Sequence, residues 1–258
     1  MSESVAPQPS AERPLVSRSA PAARGIGWIA DGFHSFVTDW PAWLVIASLS
    51  LLGSALQLLL PILGTIAVFL CTPVFIGGLM QGLAVERNGG RRLAVADMFS
   101  QFSTPALRPL LLIGITWLAL VLLSLLAVVG FVTVTSFADV LTQHAQSLEM
   151  LVAARDLTFG ISLLIGVLIF VALMMPVTML VWFAPALVVL EGESAGSAMK
   201  HSFVGCLRNF MPYLAYGLVG LLVFPLLVLC TLGLGVLVLL PVGLASIHAA
   251  YRDIFHRP

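Results

Sequence analysis

Leu107-Arg108-Pro109-Leu110-Leu111-Leu112-Ile113-Gly114-Ile115-Thr116-Trp117-Leu118 opens a stretch that carries no Asp, Glu, Lys or Arg from Pro109 to Val134. About 20 apolar residues carry a helix across the hydrocarbon layer of a bilayer, so this stretch is long enough to cross. Its apolar residues run on without alternation, which excludes the short alternating strands of a membrane barrel. Five more runs read the same way, and the expected spans are 42–60, 63–85, 109–134, 158–185, 211–231 and 234–255. The fold class that follows is all-α: a polytopic membrane helix bundle of about six transmembrane helices, with short interfacial amphipathic helices between them.

Composition agrees. The chain has 258 residues, of which 60% are hydrophobic and 9% charged, with a mean hydropathy of +1.08. A soluble domain carries roughly 25% charged residues. This chain has too little polar surface to cover a globule in water, so lipid is its solvent. Formal net charge is +0, which removes nucleic acid as an expected partner. Arg87, Arg91 and Arg92 form only a small cluster, short of the 4–8 basic residues that mark an anionic-lipid patch. Cys71, Cys206 and Cys230 lack metal-ligand spacing and read as free thiols. No cofactor or metal is expected.

Residues 1–22 are rich in Pro, Ser and Ala. They read as a disordered N-terminal tail, followed by a single membrane domain over 23–258. No secretory signal pattern precedes the first span, which would itself serve as the insertion signal.

Charge bias orients the bundle. Lys and Arg are retained on the cytoplasmic side of short loops. With six spans and both termini cytoplasmic, all of the 12 basic residues except Arg155 fall inside. The turns near Pro61 and near Gly233-Leu234-Gly235 are uncharged and tight, so the spans they join form hairpins. In the longer outer loop, Val140, Leu141, Leu148, Leu151 and Val152 recur at helical spacing. They predict an amphipathic helix on the outer surface.

On the inner side a motif repeats. Ala30-Asp31-Gly32-Phe33-His34-Ser35-Phe36 matches Ala96-Asp97-Met98-Phe99-Ser100-Gln101-Phe102 as A-D-x-F-x-x-F. His34-Ser35-Phe36-Val37 recurs as His201-Ser202-Phe203-Val204. Each segment precedes a span, with Pro41, Pro105 or Pro109, and Pro212 near the junction, where proline costs no hydrogen bond. The pattern predicts three copies of one unit, an interfacial helix, a break and a span. The third copy lacks the Asp and the first Phe. Internal repeats with binding sites between them occur in transporters. The plainer reading, that a membrane-entering helix places Phe toward lipid, is preferred.

Motifs of enzyme chemistry are weak here. Gly192-Glu193-Ser194-Ala195-Gly196 is a literal G-x-S-x-G, yet it follows a membrane helix rather than the strand that a nucleophile elbow requires. Ser194 or Ser197 reads better as a helix cap. Gly25-Ile26-Gly27 lacks the preceding strand of a dinucleotide site. The five histidines form no H-E-x-x-H. His34 and His201 occupy matching repeat positions and could meet in space, although water contacts at the interface are the simpler expectation. The spans hold no midplane Asp, Glu, Lys or Arg, which argues against an ion-coupled carrier. Gly78 and Gly82 form a G-x-x-x-G suited to close helix contact. Trp28, Trp40, Trp43, Trp182, Phe183 and Tyr251 read as interfacial anchors. Tyr251-Arg252-Asp253 is positioned to make a polar contact with Asp31 or Asp97.

Three segments carry a family resemblance: Trp182-Phe183-Ala184-Pro185-Ala186-Leu187-Val188, Cys206-Leu207-Arg208-Asn209 and Tyr251-Arg252-Asp253-Ile254-Phe255. They resemble an uncharacterised multi-pass inner-membrane protein family of proteobacteria. The resemblance implies a bacterial inner-membrane protein of about six helices and transfers no catalytic, cofactor-binding or metal residue. The expected function is a non-enzymatic, membrane-organising or partner-binding role. The lipid bilayer is its first partner, with a membrane protein or a second copy of the chain as another. The alternative is a transporter or channel for a small neutral solute, and a membrane-embedded enzyme ranks below both. A continuous polar cavity lined by Gln57, Gln81, Thr116 and Thr178 would favour transport. A packed apolar interior with exposed inner helices would favour the binding role.

Overall fold

A computed structural model of the chain describes residues 17–142 and 148–255, with side chains for all of these except 56 and 137–158. The described elements are α1 (Arg24–Thr38), α2 (Trp40–Leu59), α3 (Pro61–Arg87), a 3-10 helix (Val95–Ser103), α4 (Leu107–Thr142), α5 (Leu148–Val181), α6 (Ala184–Glu191), α7 (Ala195–Arg208), α8 (Phe210–Cys230) and α9 (Val236–Phe255). Among the described residues there is no strand. Six segments are long and apolar enough to cross a membrane, Trp40–Leu59, Pro61–Arg87, Leu107–Ser136, Phe159–Glu191, Phe210–Cys230 and Val236–Phe255. The all-α polytopic bundle is therefore the observed fold. With six spans, the start of α1 and the end of α9 share one face, called here the terminal face.

The interfacial unit recurs in three dimensions. α1 precedes α2, the 3-10 helix precedes α4, and α7 precedes α8. Two of the three breaks are the same device. Asp39 (φ −125°, ψ 37°) ends α1 and Asn209 (φ −111°, ψ 32°) ends α7. Each N–H closes the helix behind it, onto Ser35 O and Gly205 O, and each C=O starts the span ahead, taking the N–H of Trp43 and of Tyr213. One bent residue thus turns an interfacial helix into a spanning one without orphaning its own backbone groups. The literal His-Ser-Phe-Val match is out of register with these breaks, because His34 stands about one helical turn closer to its break than His201 does. The architecture repeats; the four-residue identity does not mark equivalent positions.

Three expectations change. Span four was expected to run to 185, but α5 ends at Val181 and α6 begins at Ala184. Pro185 stands in the first turn of α6, where it lacks an N–H and restrains the residue before it. Ser202 of α7 bridges the gap: its Oγ accepts from the Phe183 N–H (3.0 Å) and donates to Met179 O (2.7 Å). The outer amphipathic helix is not a separate element. Its residues divide between the end of α4 and the start of α5, and 143–147 lie outside the described residues. Ser17–Ala22, part of the expected tail, are held against the bundle. Arg18 N–H donates to Ile254 O (2.8 Å), and Ala20 N–H donates to Asn209 Oδ1 (2.7 Å). Asn209 Nδ2 donates to Arg18 O (2.7 Å) and Gly205 O (2.9 Å). Backbone pairing with a buried amide holds a segment whose composition alone could not. Residues 1–16 lie outside the description.

Packing is polarised along the membrane normal. Buried apolar residues sit at the terminal-face ends of the spans: Trp43 and Ile46 in α2, Leu79 in α3, Leu110 and Ile113 in α4, Ile254 in α9. The opposite ends expose Leu58, Leu59, Ile62, Leu126, Leu229 and Leu232. Lipid is as apolar as leucine, so nothing drives these ends together. α4, with 36 residues, measures about 54 Å at 1.5 Å per residue, so the α4–α5 hairpin reaches beyond the hydrocarbon layer.

Candidate functional site

The chemistry-bearing side chains gather on the terminal face. Arg24, at the start of α1, spans two carboxylates: its Nε donates to Asp253 Oδ2 (2.6 Å) and its Nη2 to Asp31 Oδ2 (3.1 Å). Trp28 Nε1 donates to the same Asp253 oxygen (2.8 Å). Trp28 is 1% exposed, and its indole supplies one apolar wall and one donor. The Asp253 hydrogen bond, despite partial burial of the guanidinium, keeps Arg24 above the usual arginine range. This bracket ties α1 to α9.

Beside it, α1, α3 and α9 enclose a polar cavity of about 440 Å³. Its charged lining comprises Asp31, Glu86, Arg87 and Arg252, with His34 and His248 alongside. Among the described residues neither Arg87 nor Arg252 forms an ion pair. The Nε of Arg252 is buried without a hydrogen-bond partner.

The second repeat copy is held differently. Asp97 is bound by both terminal nitrogens of Arg91 and by the Ala94 N–H (2.9 Å). Burial pushes its carboxyl upward, but the Arg91 hydrogen bonds, the Ala94 N–H and the Arg91 charge outweigh that and hold it below the usual aspartate range. Gly78 and Gly82 seat this helix. A Cβ on Gly82 would lie 2.7 Å from Asp97 Oδ2, and one on Gly78 would strike the Asp97 carbonyl. The G-x-x-x-G therefore serves contact within the chain. In both copies the Asp is tied into the protein while Phe33, Phe99 and Phe102 are exposed. Phe99 and Phe102 both pack on Phe75 of α3, with centroids 5.5 and 5.6 Å away.

Other candidates resolve separately. His34 lines the polar cavity, whereas His201 Nδ1 stands 3.7 Å from Glu193, so the two have different surroundings. Ser194 caps α7 by accepting from the Ser197 N–H (3.4 Å), and Gly192 takes a left-handed φ of 72° to end α6. Cys206 faces the core, and burial pushes its thiol up to about 12. Among the described residues no group of His, Cys, Asp or Glu has the makings of a metal site. Gln57 donates to Thr65 (2.9 Å), Gln81 accepts from Gln101, and Thr178 donates to Met175 O (2.8 Å). None of the described cavities joins Gln57, Gln81, Thr116 and Thr178. The two larger apolar cavities, about 680 and 350 Å³, lie between α2, α3 and α9 and between α5 and α8.

Sequence reasoning gave Arg24, Ser202 and Asn209 no bridging role, because Asp253, Met179, Phe183, Arg18 and Ala20, which they hold, lie well away from them in the chain. A signal existed in the motif segments. Tyr251 donates to Glu191, Asp253 receives Arg24 and Trp28, and Phe255 packs on Phe183 at 5.4 Å. The expected contact of Tyr251-Arg252-Asp253 with Asp31 exists through Arg24; Asp97 belongs to Arg91. No protein-family model, curated protein or solved structure matches the chain.

Proposed function

We propose that this chain is an integral protein of a bacterial inner membrane that acts by binding, organising lipid or a partner membrane protein at the inner leaflet. The terminal face is its cytoplasmic face. The orientation rests on the Lys and Arg bias, since carrying such a residue into the bilayer centre costs about 2.5–3.5 kcal/mol on insertion scales. The observation that carries the binding role is the layer of interfacial helices over the packed end of the bundle, with Phe33, Phe99 and Phe102 exposed beside tethered aspartates. Each Phe offers about 2 kcal/mol of apolar burial to lipid or to a partner surface. Membership in the proteobacterial family resembled by the Trp182, Cys206 and Tyr251 segments is part of the same proposal.

Two measurements test it. In a background with all 3 cysteines replaced, cysteine at Gln146 should react with an impermeant maleimide added outside stripped cells. Cysteine at Lys200, an exposed position on α7, should react only after the membrane is opened; Cys206 itself is too buried to report. Reversed labelling would overturn the orientation. Purified protein in vesicles should leave the permeability to small neutral solutes unchanged, and a photoreactive residue at Phe99 should cross-link lipid or a membrane protein in cells. Protein-dependent solute flux would replace the binding role with transport.

A further inference from the structure

We propose that the polar cavity between α1, α3 and α9 is a headgroup site for an aminophospholipid. The phosphodiester would meet Arg87 and Arg252, and the ammonium would meet Glu86 and Asp31. The inference rests on the binding role proposed above and names its ligand.

Charge on the cavity wall is of both signs and only partly used. Arg87 and Arg252 line it without ion pairs among the described residues, and Glu86 forms none either, its carboxyl sharing a hydrogen bond with that of Asp39. The buried Arg252 Nε has no acceptor, a costly state for a charged donor and one that a phosphate oxygen would relieve. Asp31 is half engaged, since Arg24 already binds one of its oxygens. A simple anion would leave Glu86, whose carboxyl is shared with that of Asp39, without a cation, and a simple cation would leave the two arginines without an anion. A zwitterion with phosphate and ammonium a few bonds apart answers both. The volume of about 440 Å³ lies within the roughly 300–1,000 Å³ of small-molecule sites.

The position favours a lipid as the source of that zwitterion. The apolar lining includes Leu83 of α3 and Ala245 of α9. One turn back along α3 stands Leu79, and next to Ala245 stands Leu244; both line the apolar cavity of about 680 Å³. Polar and apolar chambers thus neighbour each other along the same two helices, as a headgroup and its acyl chains require.

The test uses the full chain, purified and delipidated in detergent. It is titrated by native mass spectrometry with phosphatidylethanolamine, phosphatidylglycerol and soluble glycerophosphoethanolamine. Phosphatidylethanolamine should bind most tightly. Arg87→Gln and Arg252→Gln should each weaken it about tenfold, the scale of one charge-assisted hydrogen bond. Glu86→Gln should erase the preference over phosphatidylglycerol while binding persists. Arg87 is exposed at the end of α3, so Arg87→Gln should melt like the wild type and remains informative if the Arg252 variant fails to fold. Unchanged affinity in Arg87→Gln overturns the site. Equal binding of the soluble headgroup overturns the lipid assignment. Either failure, with unchanged vesicle permeability and Phe99 still cross-linking lipid or a membrane protein, would remove this site and leave the wider binding role standing.

Discussion

α8 and α9 are the two arms of one hairpin, and they have opposite surroundings. The apolar stretch of α8 has the higher mean hydropathy, 2.3, and none of its residues is fully buried; that of α9 has 1.3, and 50% of its residues are buried. In water the more apolar helix would be the more deeply packed. In a bilayer the rule inverts, because lipid already satisfies leucine and only polar or closely fitting residues gain from protein contact. α9 carries Ser246, His248, Tyr251 and Asp253, which need partners, with small Ala245, Ala249 and Ala250 that let other helices approach. α8 has leucines on nearly every side and buries only Pro212.

The sharpest way to break this contrast is to truncate one side chain on each arm. Ile254→Ala, at a position 0% exposed, should destabilise the folded protein by about 2–5 kcal/mol. Leu222→Ala, at 73% exposed, should cost under about 0.5 kcal/mol. Reversible unfolding in mixed micelles measures both, and equal losses would mean that α8 is packed against something other than lipid.

Next in size is the bracket that binds α9 to α1. Asp253→Ala removes the acceptor for both Arg24 and Trp28 and should cost about 2–3 kcal/mol, since it strands an indole donor and a guanidinium. Melting temperature should fall, and Trp28 fluorescence should shift to the red as its surroundings become wetter. A variant with both wild-type values would remove the bracket from the account.

Ser202→Ala probes the same terminal-face core at the α5–α6 break. It leaves the Phe183 N–H without its acceptor, at a cost of about 1–2 kcal/mol. Hydrogen exchange at Phe183 should quicken, whereas amides in α8 should be unaffected; quickening confined to α8 would contradict the assignment.

The smallest effect is electrostatic. The folded-state pKa of Asp97 is depressed, so its contribution is complete above the ordinary aspartate value of about 3.9 and is lost as pH falls through the lowered one. Wild type should exceed Asp97→Asn by about 1 kcal/mol at neutral pH, and the gap should close only in acid below the ordinary aspartate range. A gap that closes nearer pH 6 would assign the effect to another group.

Residue by residue, legibility followed the range of the forces involved. Spans were readable because about 20 apolar residues is a local property that no tertiary contact overrules. Pro61 and Pro212 beside their spans were readable for the same reason, as was Ser194 as a cap, which acts over three residues. The break at Trp182-Phe183 was harder. Pro185 was visible, but the bridge that lets the chain bend there comes from Ser202 on another helix. The order of Ser17–Ala22 was invisible, since it depends on Asn209, far along the chain. The polar cavity was invisible as well: Asp31, Glu86 and Arg252 stand on three helices, and no spacing rule relates them.

The sequence by itself determined that the protein lives in lipid, how many times it crosses, and where its charges cluster, because hydropathy and insertion cost act on each segment separately. Only the tertiary structure decided which span is buried, which aspartate meets which arginine, and that two arginines and a glutamate share one cavity. Those outcomes depend on a few hydrogen bonds and close contacts between distant segments, and such contacts leave no period in the chain.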